Sequence, residues 1–189
     1  EAFRNCSSLT EVTIPSTIMS MDRNVFWNSG VVTANVACQT LGQGAFYQCA
    51  SLETVNIMEG VQTLGINDGG AFHGCPKLTT INIPSTVTTM AQNVFRDCTS
   101  LTTVIFANGI QLTSIPKEAF YNTALSGIDI PAAVTNIGTS AFRRCNKLAE
   151  VNIPATTQLT TINDYSFAEC AILPSFTMPN TVTTIGAGA

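Results

Sequence analysis

Apolar and polar positions along the chain fall into short blocks that return every 20 to 26 residues, a period far longer than that of one helix or strand. Phenylalanine marks the period best, at 3, 26, 46, 72, 95, 120, 142 and 167. Four copies read Ala-Phe-x-x-Cys: Ala2 to Cys6, Ala45 to Cys49, Ala71 to Cys75 and Ala141 to Cys145. Val94-Phe95 with Cys98 and Ser166-Phe167 with Cys170 are close variants, and two copies place Ser29 and Thr123 where the Cys belongs. A second block, Leu-x-x-Val-x-Ile-Pro, follows as Leu9, Val12, Ile14, Pro15 and again as Leu78, Ile81, Ile83, Pro84 and Leu148, Val151, Ile153, Pro154. A third, Val-x-x-Ile, closes the copy, as Val87 with Met90, Val134 with Ile137 and Val182 with Ile185. Its second residue lies five before the next Phe, except at Leu64, where three extra residues predict a bulge at Asn67-Asp68-Gly69.

Each block predicts an element. Val-x-Ile alternates like a short strand, with two side chains inward and one outward. The Pro ends that strand because it has no N–H for a ladder. A single copy leaves its apolar edge open, whereas stacked copies cover one another, so stability becomes a sum over neighbour interfaces. The expected architecture is one array over residues 1–189, about eight repeats of 20–26 residues. Its fold class is an α/β-type leucine-rich repeat solenoid, right-handed, with one short parallel strand per repeat and a largely irregular or 3₁₀ convex side. The array begins on an Ala-Phe block and stops at Gly186-Ala187-Gly188-Ala189, with no polar cap at either end. Further repeats, or copies meeting end to end, are therefore expected.

The combination of Leu-x-x-Val-x-Ile-Pro with Ile-Gly-x-x-Ala-Phe-x-x-Cys resembles the BspA-like class of leucine-rich repeats, over essentially the whole chain. That resemblance implies a surface or secreted solenoid of the kind found in bacteria and some parasitic protists, adhering to host matrix proteins or neighbouring cells. Repeat class speaks to fold more strongly than to ligand.

Composition narrows the partners. Charged residues are only 11% of the chain and net charge is −4, so the surface is covered mainly by neutral polar groups. A phosphate-tracking basic face is absent, which argues against nucleic acid. With 45% hydrophobic residues the chain is not a disordered one, and no apolar run reaches the length of a membrane-spanning helix.

Seven Cys invite a disulfide or metal reading, but six (Cys6, Cys49, Cys75, Cys98, Cys145, Cys170) share one repeat position. They should form an inward column of small buried hydrophobes, reduced, with Ser29 and Thr123 as volume-preserving substitutes. Cys38 falls outside that column in the shortest repeat and is expected to be the most accessible thiol. The Asn5-Cys6-Ser7 acceptor tripeptide is expected to be poorly accessible because Cys6 belongs to the column. The lone histidine, His73, occupies a place filled elsewhere by Arg, Trp or Tyr, which reads as a column member and not as a catalytic base. No calcium loop, P-loop or dinucleotide fingerprint is present, so no enzyme, cofactor or metal is expected.

Three exposed columns remain for a partner. One is the outward strand position, with Thr13, Asn56, Asn82, Asp129 and Asn152, either a binding face or a polar ladder that holds the stack. A second follows the Phe: Trp27, Tyr47, His73, Arg96, Tyr121 and Arg143, residue types that dominate protein-binding hot spots but also stack on one another. The third is a threonine file in the last block, such as Thr88-Thr89 and Thr160-Thr161, read as solvated β surface. The expected function is a non-enzymatic extracellular or cell-surface adhesion module for a protein or glycan ligand. The alternative is a structural solenoid that self-associates end to end or laterally into a fibre or surface layer.

Overall fold

The computed structural model describes residues 1–189 and contains fourteen short strands, each paired in parallel. The first five are β1 (Glu11–Ile14), β2 (Thr33–Val36), β3 (Thr40–Leu41), β4 (Thr54–Ile57) and β5 (Thr63–Leu64). Next come β6 (Thr80–Ile83), β7 (Thr89–Met90), β8 (Thr103–Phe106), β9 (Ser114–Ile115) and β10 (Gly127–Asp129). The chain closes with β11 (Asn136–Ile137), β12 (Glu150–Asn152), β13 (Thr161–Ile162) and β14 (Thr184–Ile185). The longer strands are the Val-x-Ile blocks, laddered as β1-β2-β4, β6-β8 and β10-β12. The two-residue strands are the ends of the third block, laddered as β3-β5-β7 and β9-β11-β13-β14.

Two sequence expectations are corrected here. No helix forms, so the fold is a parallel β-solenoid and not an α/β one. Six of the eight repeats also supply two strands, and the side expected to be irregular or 3₁₀ carries the second ladder. The physical reason lies in the third block, where a polar residue followed by an inward Leu, Met or Ile has the strand alternation on a two-residue scale. Extended backbone there lets each repeat bond to the last, as Thr63 N–H does to Gln39 O at 3.2 Å and Ala91 N–H to Leu64 O at 2.9 Å. The threonine file serves the same end: the hydroxyls of Thr135 and Thr160 donate to Thr113 O and Thr135 O, each at 3.1 Å.

The core is a set of columns running the length of the stack. Eight rings, from Phe3 to Phe167, lie one above another with centroids 5.1 to 5.6 Å apart and planes within 12°. Around each Phe the chain makes overlapping turns, seen at Phe46 in bonds from Ala45 N–H to Gly42 O, Tyr47 N–H to Gly44 O and Cys49 N–H to Phe46 O. These turns require left-handed backbone two residues before and two after the Phe, as at Asn24 and Asn28 or Asn93 and Asp97. Asn and Asp tolerate that conformation better than other side chains, which explains their recurrence there. The outcome is that the Phe points in and the residue after it stands on an outer ridge.

The thiol column forms with all seven cysteines free. Its members do more than fill space. Cys49, Cys75, Cys98 and Cys145 direct their S–H at the carbonyl of the Phe one repeat earlier, at 3.0 to 3.1 Å. Thr123 keeps a hydroxyl in the column, 3.2 Å from the Cys145 sulfur. The expectation for Cys38 is overturned: it is fully buried, and the partly exposed thiols are Cys6 and Cys170. Cys38 sits three residues before Leu41, as Val61 does before Leu64, and so fills the Val place of the third block. The corner before it is shorter, which hid the register. Cys6 being only partly buried, and Asn5 exposed, the Asn5-Cys6-Ser7 tripeptide is also more open than expected.

The last copy of the long ladder does not zip. Residues 175–177 stand in the strand place but pair with nothing, leaving a cleft of about 650 Å³ between them and β12. In five other repeats the residue before the strand donates its N–H to the preceding copy, as Glu53 does to Val32 O at 3.0 Å and Ala149 to Ser126 O at 2.9 Å. Here that residue is Pro174, which has no N–H, so the first rung is missing.

Candidate functional site

The residues that follow each Phe come together as one continuous ridge. Its first half is aromatic. The Arg4 guanidinium lies 3.9 Å from the Trp27 ring, Trp27 meets Tyr47 edge-on at 5.5 Å, and Tyr47 meets His73 edge-on at 4.7 Å. Trp27 Nε1–H also donates to Gln48 Oε1 at 3.2 Å. The second half is ionic: one Asp97 oxygen is shared by His73 Nε2 at 3.5 Å and Arg96 Nε at 3.2 Å, and Arg96 also pairs with Glu118. Arg96 lies 4.4 Å over Tyr121, so Trp27, Tyr47, His73, Arg96 and Tyr121 form one chain of contacts. Arg143 departs from it, held instead by Glu169 at 2.6 Å, a carboxylate it shares with Arg144 at 2.9 Å.

Burial holds the His73 imidazole below its ordinary range, partly offset by the Asp97 carboxylate. That shift favours the uncharged ring, in keeping with its stacking on Tyr47. The Glu169 carboxyl lies below its usual range because Arg143 and Arg144 hydrogen-bond it, but exposed pairs of this kind contribute little to stability. No group of three or more His, Cys, Asp or Glu is arranged as a metal site would need.

The strand-face positions behave differently along the stack. Asn56 Nδ2 donates to Asn35 Oδ1 at 2.8 Å, Asn35 Nδ2 contacts Thr13 Oγ1 at 3.4 Å, and Asn152 donates to Asp129 at 2.9 Å. Asn82 is left out because its ladder partner is Ile105, an exposed apolar side chain. The link that sequence reasoning missed is Asn35. Its strand, Thr33-Ala34-Asn35-Val36, repeats Thr54-Val55-Asn56-Ile57 with Ala in place of Val, and that match was the signal that could have found it. This face thus spends most of its amides on holding the stack, whereas the ridge keeps rings and charges at the surface.

The insertion at Asn67-Asp68-Gly69 is a tight hairpin, with Asn67 at φ +56° and an antiparallel bridge between Ile66 and Gly69. It stands beside the aromatic half of the ridge. Gly69 lets the hairpin pack close to the preceding repeat, since a Cβ would lie 2.1 Å from the Gln43 side chain and that side chain would have to move.

Comparison with known proteins agrees with this architecture. The family profile described as the BspA type leucine rich repeat region (6 copies) matches residues 1–68 and 66–189. No curated protein sequence matches the chain. A leucine-rich repeat protein from Bacteroides ovatus superposes with a TM-score of 0.65 at 21% identity, covering 98% of this chain and 64% of its own. A leucine rich cell surface protein from Faecalibacterium prausnitzii gives 0.61 at 26% identity, with coverages of 95% and 66%. The pneumococcal vaccine antigen PcpA gives 0.61 at 16% identity, with coverages of 94% and 58%. The chain thus spans less than two thirds of each of these similar structures.

Proposed function

The chain belongs to the BspA-type leucine-rich repeat family, and from that premise we propose that it is a non-enzymatic adhesion or binding module of the cell surface or extracellular space. The observation that carries the proposal is the ridge. Trp27, Tyr47, His73, Arg96 and Tyr121 form a contiguous surface of residue types that anchor interfaces, on a scaffold whose other polar columns are used internally. Similarity to a protein described as a cell surface protein and to a vaccine antigen supports the location. The partner is a protein or glycan surface, and neither nucleic acid nor a cofactor has a place in this role. No helix is long and apolar enough to cross a membrane.

The test is binding of the folded chain to panels of immobilised extracellular-matrix proteins and glycans, with Trp27→Ala and Tyr121→Ala as ridge variants. Retention on at least one surface, lowered about 10-fold or more by a ridge variant, is expected. Retention that both variants leave unchanged removes the ridge from the role, and no retention on any surface overturns the role. A second reading, self-association of the solenoid into a longer fibre or surface layer, is favoured by an apolar side chain exposed on the strand face, Ile105 at 52%. Sedimentation that shows only compact monomers at high concentration decides against it.

A further inference from the structure

The aromatic half of the ridge and the inserted hairpin enclose a cleft of about 400 Å³. We propose that this cleft binds a neutral sugar ring, one pyranose of a surface glycan. The proposal rests on the binding role above and assigns that role a ligand class. Trp27, Tyr47 and His73 among its lining residues carry aromatic rings, suited to the apolar C–H face that a pyranose presents. Asn24, Gln43, Asp68 and Asn93 also line it, and amides and a carboxylate can both donate to and accept from vicinal hydroxyls.

Asn93 is the most telling of these. Its Nδ2 donates to Asp68 O at 3.1 Å, but its Oδ1 is buried with no hydrogen-bond partner. A buried acceptor without a donor is costly, and a turn of the Asn93 side chain toward the cleft would let a ligand hydroxyl donate to it. Charge selects among sugars. No Lys or Arg lines the cleft, and the carboxylate of Asp68 does. The nearest guanidiniums are engaged, Arg4 with Glu1 and Trp27, and Arg96 with Asp97 and Glu118. An anionic sugar would meet a carboxylate with no counter-charge, whereas a neutral one would use it as an acceptor. The volume is at the small end of ligand sites, too small for a folded partner's loop and its flanks. The hairpin that forms the wall is held close to its neighbours, because Gly70 leaves no room for a Cβ, which would fall 1.9 Å from Asn93 O.

The chain has a single tryptophan, Trp27, and it stands at the cleft, so its fluorescence reports occupancy directly. The probes are lactose, cellobiose, diacetylchitobiose, methyl mannoside and, as the anionic control, sialyllactose. A saturable change is expected with at least one neutral sugar at a Kd of about 1–10 mM, typical of a single small site. Asp68→Ala and Asn93→Gly should each weaken it roughly 10-fold with unchanged circular dichroism; glycine suits the left-handed backbone at Asn93. The inference is overturned by no saturable change with any neutral sugar up to about 50 mM, by tighter binding of sialyllactose than of lactose, or by variants that leave the Kd unchanged. If the sugars fail while Tyr121→Ala still lowers retention on a protein surface, the glycan assignment falls and the binding role stands.

Discussion

The thiols show how one residue type is selected for two properties at once. Cys49, Cys75, Cys98 and Cys145 are each small enough for their repeat position, and each S–H meets a Phe carbonyl that a hydrocarbon side chain would leave with one partner fewer. Burial makes the thiolate unfavourable: Cys38 is pushed up from 9.0 to about 11, Cys170 to about 12, and Cys49, Cys75 and Cys145 are raised by the same cause. The sign of the linkage follows. Below the ordinary thiol range both folded and unfolded chains hold the proton, and the contribution to stability is complete. Above pH 9 the unfolded chain loses thiol protons that the folded chain retains, so stability falls progressively toward the raised values near 11 and 12. Urea midpoints should be level between about pH 7 and 8.5 and decline above about 9, with a shallower decline in Cys75→Ser. A level profile through about pH 10.5 would contradict burial of the column.

Among the elements, the short strands are decided by single positions. Seven copies of the Val-x-Ile block form strands, and the eighth, with Phe176 and Met178 in the inward places, does not. The apolar alternation survives in that copy, so alternation alone does not make the strand, and Pro174 removes one N–H that would hold it to β12. Pro174→Thr restores the missing N–H. The amides at 174 to 176 should then gain hydrogen-exchange protection by tenfold or more, on the order of 1 kcal/mol per bond formed. Global stability should move by less than about 1 kcal/mol, because the new bonds and the lost stiffness of proline in the unfolded chain oppose each other. Exchange rates unchanged in those amides would mean that Phe176, not Pro174, holds the segment away.

At the scale of the molecule, stability should depend on position along the stack, since each repeat touches only its neighbours. Phe95 is fully buried between Phe72 at 5.4 Å and Phe120 at 5.6 Å, whereas Phe3 is 46% exposed with one ring neighbour at 5.2 Å. Phe95→Ala should cost about 3–5 kcal/mol and Phe3→Ala about 1 kcal/mol, read from urea unfolding of the two variants. Equal losses would contradict the nearest-neighbour picture. The same modularity explains how an insertion at Asn67-Asp68-Gly69 is tolerated: the added residues leave the columns in register and project as a hairpin beside the ridge. A regular scaffold with one local irregularity is a physical route to a site in a protein made of repeats.

The sequence by itself determined the array, the period, the Phe spine and the thiol column. These follow from identities at fixed spacing, and stacking converts equal spacing into contact. It did not show the second ladder, because two residues are too short for an alternation to be read before their neighbours are known. Cys38 and Asn35 were misplaced or missed for a related reason, since a shortened corner and one Ala masked a register that stacking restores. Only the tertiary structure decided which ridge residues meet each other and which meet Asn24, Gln43, Asp68 and Asn93. Those residues come from four successive repeats, and the geometry of an interface between repeats is not contained in any one of them.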